Sequence, residues 1–113
     1  MKVNYSNEGD VQKAIAEAIQ GNNILLFIKG TPQMPQCGFS KGVMDMFNYL
    51  QVPYETVDVL ADPLIREGVK QFTQWPTIPQ IFLKGQFVGG FDICRELFEK
   101  GELEPMAKSA VTA

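Results

Sequence analysis

Five consecutive apolar residues, Ile24-Leu25-Leu26-Phe27-Ile28, do most to limit how this chain can fold. Side chains of a strand alternate between its two faces, so an unbroken apolar run of strand length needs cover on both. Turn-forming residues bound the run, with Gly21-Asn22-Asn23 before it and Gly30 after it. Such a strand belongs inside a sheet that carries helices on each side.

The flanking segments supply those helices. Val11, Ile15, Ala18 and Ile19 recur at helical spacing, with Ser6, Asn7 and Asp10 as N-cap oxygens. Val43, Met46, Phe47 and Leu50 form a second helical pattern, broken by Val52-Pro53. Tyr54 to Val59 reads as a second strand. Asp62-Pro63 opens a third helix, whose apolar positions are Leu64, Ile65, Val69 and Phe72. Trp75-Pro76-Thr77-Ile78-Pro79 is extended and constrained by its prolines. Ile81-Phe82-Leu83, Lys84-Gly85-Gln86 and Phe87-Val88 read as a hairpin. Asp92 caps a last main helix through Ile93, Leu97 and Phe98, which Gly101 ends. Leu103 to Lys108 adds a turn or two, and the remaining tail frays. Strands joined by helices pair in parallel through right-handed crossovers, and the hairpin adds an antiparallel pair. The expectation is an α/β fold with a four-stranded mixed sheet between helices.

At 113 residues and 45% hydrophobic composition, the chain suits one domain with a core that needs no disulfide. The expected domain is 1–113, with a core over about 8–105 and a frayed tail over 106–113. A net charge of −3 argues against a nucleic-acid surface. No apolar run is long enough to span a membrane. The first residues lack the pattern of a secretory signal or a transit peptide, so the expected location is cytoplasmic, or an organelle matrix if a presequence was removed. There is no histidine, which excludes Ser-His or Cys-His catalysis and His-bound zinc.

Chemistry therefore falls to the two cysteines. Cys37 lies where a loop with two prolines, Gly30 to Gln36, meets the start of a helix. Unpaired backbone N–H groups there favour a thiolate, and Lys29 adds positive charge. A lowered pKa is expected. Cys94, near the start of the last main helix, is either a packing residue or a second thiol that resolves disulfides at Cys37.

Gly30-Thr31-Pro32, Cys37-Gly38-Phe39-Ser40, Trp75-Pro76-Thr77-Ile78-Pro79-Gln80, and Gly89-Gly90 with Asp92 occur in this order, with Lys29 and Arg66 between them. Together they resemble the monothiol (CGFS-type) glutaredoxins, over about residues 24–103. The resemblance implies the thioredoxin fold and a glutathione site. In it Lys29 and Arg66 face the glycine carboxylate, the Ile78 backbone pairs with the peptide, and backbone groups of Phe91 and Asp92 hold the γ-glutamyl end. Ile78-Pro79 resembles the cis-proline loop of that fold. Ser40 stands where dithiol relatives carry a second cysteine, so a mixed disulfide at Cys37 must be resolved by glutathione or by Cys94. Family members usually carry cysteine or serine where this chain has Phe91.

The resemblance also implies a labile [2Fe-2S] cluster. Such a cluster takes four thiolates. Two Cys37 residues and two glutathiones would supply them, in a homodimer bridged by the cluster. The expected function is cluster assembly and transfer to recipient apo iron–sulfur proteins. The alternatives are a glutathione-dependent thiol–disulfide oxidoreductase that removes glutathione from proteins, and an interaction module that senses iron through the cluster. The loop Gly30 to Gln36 has the longer form of the cluster-binding class, where it is thought to misplace glutathione for disulfide exchange.

Overall fold

The computed structural model describes residues 8–112. Its elements are α1 (Glu8–Gln20), β1 (Ile24–Ile28), α2 (Gly38–Leu50), β2 (Glu55–Asp58), α3 (Pro63–Thr73), β3 (Gln80–Leu83), β4 (Gln86–Gly89), α4 (Phe91–Glu99) and α5 (Leu103–Val111). The strands form one sheet in the order β2-β1-β3-β4. This is the mixed sheet flanked by helices that the apolar patterns require.

Strand β1 is central, and all five of its residues are buried. Ile24, Leu26 and Ile28 pack with Val43, Phe47, Cys94 and Leu103 from α2, α4 and α5. Leu25 and Phe27 point the other way, onto Val11 and Ile15 of α1 and Ile65 and Val69 of α3. The continuous apolar run thus feeds two cores, one per face. Each such side chain contributes about 1.5–3 kcal/mol on full burial.

Only β1 and β2 pair in parallel; β3 runs antiparallel to β1, with Phe27 opposite Gln80. The expectation of parallel pairing across every helix therefore fails at β3. The Trp75–Pro79 stretch brings the chain back into the sheet at the end where β1 leaves it. That reversal sets Lys29, just after β1, beside Ile78, just before β3. Lys84 and Gly85 close the β3–β4 hairpin with φ of 53° and 79°, the left-handed pair a two-residue turn needs.

Four further differences have local causes. The helix α1 starts at Glu8, so Asp10 lies inside its first turn rather than at the cap; Ser6 and Asn7 fall outside the described residues. Leu64 and Phe72 are exposed, because α3 meets α1 along a narrow stripe. Gly68 sets that stripe: a Cβ there would lie 2.7 Å from Val11 and 2.8 Å from Ile15. Gly90 is the N-cap of α4, which places Asp92 within the first turn, where its charge suits the helix dipole. Residues 106–111, expected to fray, continue α5, because Ala107 and Ala110 are buried against the sheet core.

Candidate functional site

The loop before Cys37 is built around Gly30. Its φ is +96°, and a Cβ would meet the Met34 carbonyl oxygen at 2.5 Å and the Gln36 nitrogen at 2.7 Å. Only glycine fits. Thr31 and Met34 exchange backbone hydrogen bonds of 3.2 and 3.1 Å, and the Gln36 N–H donates to the Lys29 carbonyl at 2.9 Å. Asp58 Oδ1 accepts from the N–H groups of Gly30 and Leu60, both at 2.9 Å. The loop is therefore closed on itself and tied to β2.

Cys37 follows as the N-cap of α2, with extended backbone (φ −150°, ψ 131°). No N–H of the first helical turn completes a cap hydrogen bond with its side chain in the strict geometric sense. Burial opposes ionisation, but the backbone N–H groups of Ser40 and Phe39, the Ser40 hydroxyl and the Lys29 charge together outweigh it. The thiol sits below its ordinary value of 9.0, as the helix-start position leads one to expect. Ser40 itself is wholly buried and accepts the Lys29 N–H at 3.1 Å. It therefore ties the end of β1 to the start of α2, a role not legible from the missing second thiol.

Beside Cys37 opens a cavity of about 400 Å³. Lys29, Cys37, Arg66, Ile78, Phe91 and Asp92, the six residues singled out in the sequence, all line it. Three cations contribute to it: Lys29, Arg66 and Lys70. Lys70 escaped the sequence reading, although its i+4 spacing from Arg66 places both on one helical face. The guanidinium Nε of Arg66 and the indole Nε1 of Trp75 are buried with no hydrogen-bond partner among the described residues. The Ile78–Pro79 peptide bond is cis. At the far wall Gly90 approaches Trp75 and Pro79 so closely that a Cβ would stand 3.2 Å from the indole Nε1 and 3.4 Å from the Pro79 carbonyl oxygen.

Phe91 forms the wall between α2 and α4. Its ring stacks at a tilt on Phe39, with centroids 5.2 Å apart, and lies over Gly42. A Cβ at position 42 would come within 2.7 Å of the Phe91 ring. Gly42→Ala should therefore cost about 1–2 kcal/mol by overpacking. In a Phe91→Ser background the same change should be neutral or stabilising by up to about 1 kcal/mol, the helix preference of alanine over glycine. Urea denaturation of the four variants checks this coupling.

Cys94 is fully buried in the α2-side core, and burial pushes its thiol up to about 12. It is a packing residue, not a resolving thiol. Native protein should take up one iodoacetamide group, on Cys37, and two only after unfolding, as read by mass. The unfolded chain ionises Cys94 near 9.0 while the folded chain keeps the proton to about 12. Stability contributed by this group should thus fall as pH rises through that window, by about 1.4 kcal/mol per unit. Cys94→Ala should remove that slope.

Comparison with known proteins places this arrangement. Residues 24–88 match the glutaredoxin family model. A monothiol glutaredoxin of Synechocystis sp. is 46% identical over 104 residues, 92% of this chain and 97% of that protein. A probable monothiol glutaredoxin of Legionella pneumophila is 49% identical over 89 residues, 79% of this chain and all (100%) of that protein. The solution structure of reduced poplar apo GrxS14 superposes with a TM-score of 0.79 at 36% identity, covering 91% of this chain and 94% of that one. The four-stranded sheet and its helices thus correspond to the thioredoxin fold.

Proposed function

Because this chain belongs to the glutaredoxin family, and within it to the monothiol glutaredoxins, we propose that it binds glutathione in the Cys37 cavity and carries a labile [2Fe-2S] cluster between two copies of itself. The observation that carries this reading is the placement of one reachable, acidified thiol beside a cavity of three cations.

Glutathione presents two carboxylates and a peptide backbone. Lys29 and Arg66 suit its glycine carboxylate, the latter through a planar fork of donors, and Lys70 adds charge on the same side. The first N–H groups of α4, at Phe91 and Asp92, suit the γ-glutamyl carboxylate, helped by the helix dipole. The Ile78 backbone pairs with the cysteine of the peptide in the manner of strand addition. Orphaned donors at Arg66 and Trp75 fit a ligand rich in acceptors.

The donor set fits the cargo in the same way. Each chain offers a single usable thiolate, since Cys94 is locked in the core. A four-thiolate cluster then needs two chains and two glutathiones. Half of the ligands are diffusible, which suits a carrier in cluster assembly and iron homeostasis that hands its cargo to recipient apo iron–sulfur proteins. The proposed setting is the cytoplasm or an organelle matrix; among the described residues no helix is long and apolar enough to cross a membrane. We take residues 1–113 as one functional unit.

The depressed thiol also favours a second reading, glutathione-dependent thiol–disulfide exchange. With Cys94 out of reach, that reaction would depend on external glutathione for resolution. One experiment separates the two. Protein loaded with the cluster is mixed with an apo-ferredoxin, and the ferredoxin spectrum is followed. Complete transfer within minutes, with slow reduction of a glutathionylated protein, supports the carrier. No transfer with rapid deglutathionylation supports the exchange enzyme.

A further inference from the structure

Gln80 opens β3 with its side chain wholly buried, one of two buried polar residues in the described chain. Its surroundings account for the whole amide. Nε2 donates to the Trp75 carbonyl at 3.0 Å and to the Thr77 carbonyl at 3.2 Å. Oε1 lies 2.9 Å from the Thr73 hydroxyl, whose one proton it shares with the Val69 carbonyl at 3.0 Å. The orientation of the amide is not arbitrary. Turned over, its oxygen would face two carbonyl oxygens. The Thr73 hydroxyl also accepts the Trp75 N–H at 3.2 Å, so the end of α3 joins the same network.

This network fixes the direction of a peptide plane. In a planar trans peptide the carbonyl and the following N–H point to opposite sides. Among the described residues only the Ile78–Pro79 bond is cis, so the Thr77–Ile78 peptide is trans. With the Thr77 carbonyl turned inward onto Gln80, the Ile78 N–H must point outward, and Ile78 lines the cavity beside Cys37. A leucine at position 80 would fill comparable space without the cost of burying an amide. The amide is explained by the two loop carbonyls it satisfies.

We propose that Gln80 is the positioning residue of the peptide-binding edge: its buried amide clamps Trp75–Ile78 so that the Ile78 N–H is presented to a backbone acceptor of the ligand. This rests on the glutathione reading above, and it adds a residue that touches no ligand. The expected consequence is selectivity. A thiol compound that carries a peptide backbone gains from the clamp, and one without a backbone does not.

The test compares two mixed disulfides at Cys37. The thiolate attacks glutathione disulfide, forming the Cys37–glutathione disulfide and releasing one glutathione thiolate. In parallel it attacks hydroxyethyl disulfide, releasing 2-mercaptoethanol. Mass spectrometry at defined thiol–disulfide ratios gives both equilibrium constants. In Gln80→Leu, the preference for glutathione over 2-mercaptoethanol should fall about tenfold, with the 2-mercaptoethanol constant unchanged. Should that variant fail to fold, Thr73→Val, which removes the hydroxyl that anchors Oε1 and so loosens the amide, should lower the same preference two- to threefold. Equal shifts in both constants, or an unchanged preference in a folded variant, would overturn the proposal. Absence of any glutathione preference in the unaltered protein would overturn the glutathione reading as well, which distinguishes the two failures.

Discussion

Cys37→Ser should abolish glutathione adducts and cluster assembly completely, while leaving the fold as stable as before or slightly more so. A serine hydroxyl forms neither a disulfide nor a thiolate ligand. No other thiol can substitute, because Cys94 is buried and held protonated to about 12. The stability expectation has a separate cause. Cys37 is the N-cap of α2, where the Phe39 and Ser40 N–H groups favour its thiolate but form no well-aligned cap hydrogen bond with the sulfur. Serine is among the preferred N-cap residues, and gaining a cap bond contributes up to about 1 kcal/mol. The variant thus separates chemistry from folding. Thermal unfolding and adduct mass on the same sample check it. A variant that still forms a glutathione adduct would place the reactive thiol elsewhere.

Gly30→Ala should be the most damaging single methyl group in the site region, at about 2–5 kcal/mol. Two costs add: a φ of +96° that side-chain-bearing residues avoid, and a Cβ pressed to 2.5 Å from the Met34 carbonyl oxygen. Both neighbours are backbone, so relief requires the loop to open. Opening would break the Thr31–Met34 pair and the Gln36–Lys29 bond that set the approach to Cys37. Against a typical domain stability of about 5–15 kcal/mol, that loss is large. Gly38→Ala is the control, since a Cβ there meets nothing within 4 Å. It should change stability by less than about 1 kcal/mol. Urea midpoints of the two variants decide the matter. Equal midpoints would mean that the loop tolerates rearrangement.

What could be read from the sequence divides by range. The apolar run at Ile24–Ile28 announced a sheet covered on both sides, because its pattern is local and only one packing arrangement satisfies it. The Asp62-Pro63 cap was legible for the same reason, and the Asp62 carboxylate does accept the Leu64 N–H at 3.0 Å. The resemblance to the monothiol glutaredoxins, not any local pattern, grouped the six site residues, and all six line one cavity. The direction of β3 was not legible, since it depends on where the chain re-enters the sheet after α3. Lys70 was passed over although it lies one turn from Arg66, and Gln80 because its network forms only where the Trp75–Pro79 stretch folds back past the end of α3. The continuation of α5 past Lys108 was missed because small residues such as Ala110 carry a weak periodic signal, yet they permit close packing. Asp92 was misplaced by two helical positions because Gly90, with no side-chain cap of its own, begins α4 earlier than an acidic cap would.

Cys37 stays at the centre, with the task of a shared ligand that the resemblance implies. Ser40 and Cys94 both remove routes to an internal disulfide, one by chemistry and the other by burial. A thiolate with no internal partner, set beside a cationic cavity, suits ligation to a shared cargo.

Native mass spectrometry of protein reconstituted with iron, sulfide and glutathione under anaerobic conditions tests this most directly. The account predicts a species of two chains, two glutathiones and one [2Fe-2S] cluster, with matching visible absorption, that does not form when glutathione is omitted. A cluster bound by a single chain, a cluster formed without glutathione, or no cluster at all would contradict it.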